Sequence, residues 1–240
     1  MDVETRGTLR DGKDFVVKDL SLDDLPAILH LQQKVIHHLE YQEILQPLNV
    51  EEYSYILQGH GEMIGIFVED RLIAFRALLI PKPEDEYLGE LAKIPPEERK
   101  KIIYSEISNV DPDYRGQGLQ QFMGNIIMKR IDPKKFRYVL ATVAPFNIPR
   151  LKDKFRLGMK IVALEEIYNG KLRYVFKKDL QKQHVIRNPE KEISVDMNSF
   201  TKQRQLLQDG YVGVNIQKLD GHWHLVFVKR NEESVTQLSC

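Results

Sequence analysis

The residues Asp111-Pro112-Asp113-Tyr114-Arg115-Gly116-Gln117-Gly118 have types and spacing suited to chemistry. An apolar run ends at Val110, and an amphipathic run begins at Leu119. Gly116 and Gly118 between them let the backbone approach a ligand with no Cβ in the way. The first N–H groups of a helix starting there have no partner within it, and the positive end of its dipole falls on the same spot. That arrangement binds an anion and suits phosphate. Arg115 adds a fixed positive charge. The glycines alone would serve an ordinary strand–turn–helix junction equally well.

The elements that must hold this turn can be read on either side of it. Residues 102–110 form a strand. If it alternates strictly, Tyr104, Glu106, Ser108 and Val110 share one face, and Ile103, Ser105, Ile107 and Asn109 share the other. The helix after the turn has Leu119, Phe122, Met123, Ile126 and Ile127 at a spacing of three and four, and ends at Asp132-Pro133. Residues 138–143 are apolar and β-branched enough for a buried strand. Gly158 alone can be a helix C-cap, and strands at 161–167 and 172–177 flank the hairpin signal Asn169-Gly170. Upstream, residues 1–13 form a ragged start and Phe15-Val16-Val17 a first strand. A helix runs to about Leu39, capped at Ser21, Asp23 or Asp24, with Pro26 in its first turn. Leu25, Ile28, Leu29, Val35, Ile36 and Leu39 form its apolar stripe. A short helix spans 50–57, and strands at 63–68 and 72–80 form a hairpin about Glu69-Asp70-Arg71. A loop with Glu84, Asp85, Glu86 and Glu90 comes next, weakly suited to a cationic amine.

Composition narrows the classes of function. Of 240 residues, 42% are hydrophobic and 29% charged, and 35 Lys+Arg balance 35 Asp+Glu. A neutral chain of this kind is a soluble globular protein, and neither nucleic acid nor a membrane surface is expected as its main partner. No apolar run approaches a membrane span. The single cysteine, Cys240, provides no disulfide within the chain and no nucleophile. The expected compartment is the cytoplasm. His30, His37 and His38 on the first helix lack a ligand spacing with Asp, Glu or Cys, so no metal site is expected.

From 179 to 192 the chain turns polar, which reads as a linker. Asp196 can then cap a helix with Met197, Phe200, Leu206 and Leu207, stopped at Gly210. Strands at 211–216 and 223–228 form a hairpin about Asp220-Gly221. The expected division is a body over 1–180 and a linker with a small αββ extension over 181–240. About fifty residues are marginal alone, so the extension is expected to pack on the body or on a partner subunit, as in a homodimer.

The sequence Val110-x-Pro112-x-Tyr114-Arg115-Gly116-Gln117-Gly118 resembles the acetyl-CoA motif of the GNAT N-acetyltransferase superfamily, whose pattern [QR]-x-x-G-x-[GA] wraps the CoA pyrophosphate. Arg115, Gly118 and Gln120 hold its three places, and Gln120 departs from the usual small residue. The resemblance covers about 14 to 178. It implies an α/β (α+β) fold with a mixed, mostly antiparallel central sheet flanked by helices. It also implies that the strands ending at Val110 and Val143 splay apart around the acetyl-pantetheine arm. Val110, Arg115, Gly116, Gln117, Gly118, Leu119, Gln120 and Asn147 are then the expected CoA contacts. The segment from Asn147 to Gly158-Met159 resembles the family's second CoA-side element. Lys154 stands where many members carry a tyrosine that protonates the leaving thiolate.

The implied activity is direct acetyl transfer from acetyl-CoA to a primary amine in a ternary complex. It needs a proton acceptor on the cleft face of the central strand. Glu106 fits, since an apolar strand can hold its carboxyl above the usual range. A satisfied structural carboxylate is the alternative. Tyr104 is the candidate acid, with core packing as its alternative. Transfer of a longer acyl group, or a non-catalytic acyl-CoA-binding sensor or assembly module, are the competing functions.

Overall fold

Apolar runs too long for one-sided burial become the middle of a sheet covered on both faces. The computed structural model describes residues 5–39, 45–83, 87–182 and 192–230. In chain order the strands are β1 (Thr5–Thr8), β2 (Asp14–Asp19), β3 (Gly61–Val68), β4 (Arg71–Leu79), β5 (Ile102–Val110) and β6 (Tyr138–Val143). They continue as β7 (Lys160–Ile167), β8 (Lys171–Asp179), β9 (Ile193–Asp196), β10 (Tyr211–Leu219) and β11 (His222–Lys229). The helices are α1 (Leu25–His37), α2 (Val50–Tyr55), α3 (Tyr87–Leu91), α4 (Leu119–Arg130), α5 (Ile148–Arg156) and α6 (Phe200–Gln208).

All the strands join one sheet in the order β1-β2-β3-β4-β5-β6-β8-β7-β10-β11-β9. The pairings are antiparallel except for β5 with β6, which is parallel. One face is covered by α4, α5 and α6, whose Met123, Ile127, Leu151 and Leu207 pack against Ile64, Ile73, Val139 and Phe176. On the other face α1 and α2 bring Ile28, Leu31, Val35 and Tyr53 against Phe75, Ala77 and Ile107. Leu88 of α3 packs there against Tyr104, Leu140 and Val175. Among the described residues no helix is long and apolar enough to cross a membrane.

The first helix is preceded by a 3-10 turn, Leu22–Asp24, with Ser21 and Asp24 in a capping box and Pro26 in the first turn of α1. The two-residue hairpin turns place Glu69 and Asp70 at φ 49° and 62°. Two expectations need correction at the sheet edges. Residues 5–8, expected in a ragged start, form β1 on β2, and residues 193–196, expected only to lead from the linker to a helix capped by Asp196, form β9 on β11. Both are four-residue edge strands without an apolar run, so pairing rather than patterning defines them. The extension is therefore βαββ. Asp196 accepts a hydrogen bond from the Asn198 N–H at 2.8 Å in a tight turn, and Ser199 occupies the N-cap of α6.

The extension lengthens the main sheet, with Gly213 of β10 opposite Ile161 of β7. Buried Gln203 of α6 accepts a hydrogen bond from Tyr174 Oη of β8 at 2.8 Å. The loop after Ile80 is in part helical, with α3 and a 3-10 turn over Pro96–Lys101. Glu84, Asp85 and Glu86, together with 183–191 of the linker and Cys240, lie outside the described residues.

Candidate active site

The glycine turn has the backbone its sequence asks for. Gly116 and Gly118 sit at φ +77° and +79°, and a Cβ added at either would meet nothing within 4 Å. The space over the turn is open. Gly118 is the N-cap of α4 and supplies no side-chain cap, so the first N–H groups of the helix face that space without a side-chain acceptor. Buried Leu119 pins the helix start, while Arg115 is exposed at the rim. The Gln117 side chain accepts a hydrogen bond from the Arg10 N–H at 3.0 Å, tying the β1–β2 loop to the turn. Asp111, 1% exposed, is the anchor beneath. It accepts from Lys34 Nζ at 2.7 Å, Arg71 Nη2 at 2.8 Å and the Asp113 N–H at 3.0 Å.

Beside the turn the sheet opens. β5 and β6 pair only at Ile102–Tyr138, Ile103–Val139 and Tyr104–Leu140. From Ser105 and Ala141 onward each strand bonds only its outer neighbour, as expected of splayed strands. The split forms a cleft that reaches both faces of the sheet. Glu106 and Ile107 line it from β5, Thr142 and Val143 from β6, and Asn147, Arg150 and Lys154 from α5. Leu45, Gln46, Tyr168 and Arg173 line the opposite face.

Strict alternation along β5 does not hold. Leu78 pairs with Ser105 and Arg76 with Ser108, so β5 carries two residues where β4 carries one. This β-bulge at Glu106 and Ile107 inverts the facing of the residues beyond it. Ile103 and Val110 pack toward α4, whereas Tyr104 and Ile107 pack on the opposite face. The expectation that Tyr104, Glu106 and Val110 share a face is thus corrected. Glu106 reaches the cleft through the bulge, and it also borders a second opening with Tyr55, Ile56 and Lys82. Tyr104 is 5% exposed and packed with Leu88 and Leu140, away from the cleft lining.

On the α4 face, α5 carries two cations one turn apart, aimed at backbone that the split leaves unpaired. Arg150 donates to the Ser108 carbonyl. Lys154 Nζ donates to Ser105 Oγ at 2.7 Å and to the Ser105 carbonyl at 3.3 Å. Burial, with Arg76 nearby, holds the Lys154 ammonium well below its usual value, and burial pulls Arg150 down to about 10. Between the two, Asp153 holds the buried Arg76 guanidinium. Burial favours the neutral acid of Asp153, yet Arg76, Lys154 and Arg150 together hold its carboxyl below the usual range. Asn147 caps α5 by accepting from the Arg150 N–H at 3.3 Å.

On the other face, the Tyr168 hydroxyl lies 3.1 Å from Thr142 Oγ1. Gln32 of α1 accepts from Tyr53 Oη at 2.6 Å and donates to the Leu48 carbonyl at 2.8 Å, fixing the segment that carries Leu45 and Gln46. Lys171 Nζ reaches Gln46 Oε1 at 3.2 Å, so the β7–β8 hairpin and this segment join over the cleft.

No family model and no curated protein sequence matches the chain. Solved structures do match. The GNAT domain of S. lividans PAT aligns over 74% of this chain and 97% of its own at 16% identity, with a TM-score of 0.54. The ribosomal-protein-S18-alanine N-acetyltransferase of Escherichia coli aligns over 72% and 99% at 13% identity, TM-score 0.52. A Salmonella typhimurium structure containing its cofactor acetyl-CoA aligns over 73% and 98% at 10% identity, TM-score 0.53. The chain has the GNAT acetyltransferase fold.

Within this GNAT fold the sequence motif occupies the open turn at the start of α4, and Lys154 lies on the cleft wall. Four features escaped the sequence reading. Asp111 passed as a turn residue, although its partners Lys34 and Arg71 lie 77 and 40 residues away. Arg150, Tyr168 and Arg173 carried no signal as isolated polar residues. Of the cleft's cations only Lys154 stands out in the sequence, as a departure from the family's tyrosine.

Proposed function

We propose that the protein transfers an acetyl group from acetyl-CoA to an amine by direct attack. The observation that carries this reading is the split between β5 and β6 opening next to an uncapped, glycine-lined helix start. The residues fit the cosubstrate. Arg115, Gly116, Gln117, Gly118, Leu119 and Gln120 would hold the pyrophosphate with backbone N–H groups and one guanidinium. Val110 and Asn147 would flank the arm. Bound there, acetyl-CoA supplies an activated thioester.

Glu106 would take the proton of the attacking amine, directly or through water; its position in the cleft lining supports this role. As the new C–N bond forms and the C–S bond breaks, the leaving sulfur needs a proton. Tyr104 is too deep in the core to give one. The Lys154 ammonium lines the cleft, and its burial makes it a stronger acid than an ordinary lysine. Its hydrogen bond to Ser105 Oγ holds it there. The cytoplasm, where acetyl-CoA and metabolite amines meet, is the compartment this reading favours.

A mass-detected acetylation screen of an amine library tests the reading. At least one acceptor should gain an acetyl group in a reaction that requires acetyl-CoA and is impaired in Glu106→Gln. CoA binding without turnover on any amine would favour a binding module. No CoA binding at millimolar concentration would end both readings.

A further inference from the structure

The chain is neutral overall, yet its cleft is not. Among the described residues, Arg150 and Lys154 line its α5 wall, and Glu106 is the carboxylate of the lining. Asp153, between them on α5, attracts both but hydrogen-bonds Arg76 through both of its oxygens. Arg150 and Lys154 are held instead by neutral oxygens of Ser108 and Ser105. An arginine partly withdrawn from water with no carboxylate hydrogen-bonded to it among the described residues is costly, and it does not shed its proton at neutral pH as a lysine can. A guanidinium is also a planar fork that matches a carboxylate. The carbonyl it now touches satisfies part of that fork and none of its charge.

Resting on the acyl-transfer reading, we propose that the ligand entering the cleft carries a carboxylate that pairs with Arg150. Two sources share this chemistry. The carboxylate belongs either to the acceptor, as in an amino acid, or to the acyl group, as in a dicarboxylic monothioester of CoA. The phosphates of CoA do not supply it, because their expected place is the turn before α4. The exposed Glu90 sits 4.0 Å from Arg99, both outside the cleft lining, so it gives no reason to expect a cationic acceptor here.

Calorimetric binding to the full chain tests both sources without requiring turnover. One arm compares succinyl-CoA with acetyl-CoA. The other compares the common amino acids with their carboxamides, with and without CoA. In one arm the carboxylate form should bind roughly tenfold tighter or more, as a charged hydrogen bond in a part-buried site allows. The preference should vanish in Arg150→Met and partly persist in Arg150→Lys, with CoA affinity unchanged in both. Thermal midpoints establish that the variants fold. If neither arm shows a preference, or if it survives Arg150→Met, the proposal is overturned. Failure of all CoA species to bind removes the acyl-transfer reading instead, and the amino-acid arm alone then decides the carboxylate.

Discussion

Arg76 of β4 and Asp153 of α5 meet through two hydrogen bonds, 3.1 Å from Nη1 to Oδ1 and 3.0 Å from Nη2 to Oδ2, with neither residue more than 4% exposed. The same guanidinium donates to the Gln120 carbonyl at 3.2 Å and to Ser105 Oγ at 3.3 Å. One side chain thus joins α4, α5 and β5 behind the cleft. Asp153→Asn leaves this arginine charged and buried, and should cost about 3–5 kcal/mol. Urea unfolding measures it. Arg76→Met combined with Asp153→Leu should recover part of the loss, and a cost well under 1 kcal/mol for Asp153→Asn would show that the pair is not holding the three elements together.

The depressed pKa of Lys154 fixes the sign of a pH effect. The folded state holds this proton less tightly than the unfolded chain, whose value is near 10.5. Below its folded pKa the buried ammonium is a standing cost. As pH rises from there toward 10.5 that cost is relieved, because the unfolded chain then binds more protons. The stability of wild type relative to Lys154→Met should therefore climb with pH through this window and level off above it. Urea midpoints for the two proteins at matched pH values give the difference, and a flat or falling difference contradicts the burial argument.

At Gly118, any larger residue must adopt φ +79° and point its Cβ into the space read as the phosphate site. CoA at a hundred times its dissociation constant should stabilise wild type by about 2.7 kcal/mol. In Gly118→Val the CoA-induced rise in thermal midpoint should disappear while unfolding stays cooperative. A full-sized shift in the variant would move the phosphates elsewhere.

Replacing Glu106 by Gln keeps its shape and removes its basicity. Loss of a general base costs roughly a hundred- to ten-thousand-fold in rate, so turnover should drop by at least the lower figure. Acetyl-CoA affinity should stay near wild type. High pH should restore part of the rate, since more of the amine is already neutral. Full activity at neutral pH would dismiss Glu106. His37 and His38 would not readily take over, since neither lines the cleft.

The legible parts of this chain are those where one local signal fixes one local structure. Val110 to Gly118 could be read because a left-handed φ needs glycine and an uncapped helix start needs space. The strand at Tyr138–Val143 could be read because its apolar run has only one place to go. What stayed hidden depends on distant partners. β1 and β9 exist through pairing with β2 and β11. Asp111 matters through Lys34 and Arg71, and Arg150 through a carbonyl of β5. The bulge in β5 has no residue signature, since neither Glu106 nor Ile107 is a glycine. Strict alternation therefore put Glu106 and Val110 on one face, which the chain does not do.

That bulge also makes the phase of β5 a matter of length. Deleting one residue at 106–107 would restore regular pleating with Ser108 still opposite Arg76 and Val110 still opposite Ala74, so the strand's second half would keep its faces and only the kink that carries a carboxylate into the cleft would be lost. Deleting one residue between the bulge and Val110 leaves composition as little changed, yet it shifts every later residue by one place and delivers the glycine turn to α4 from the wrong side of the pleat. A substitution at Glu106 adjusts the chemistry of the site; a deletion at 108–109 dismantles its frame. Deletion at 106–107 should therefore be tolerated by the fold far better than deletion two residues later.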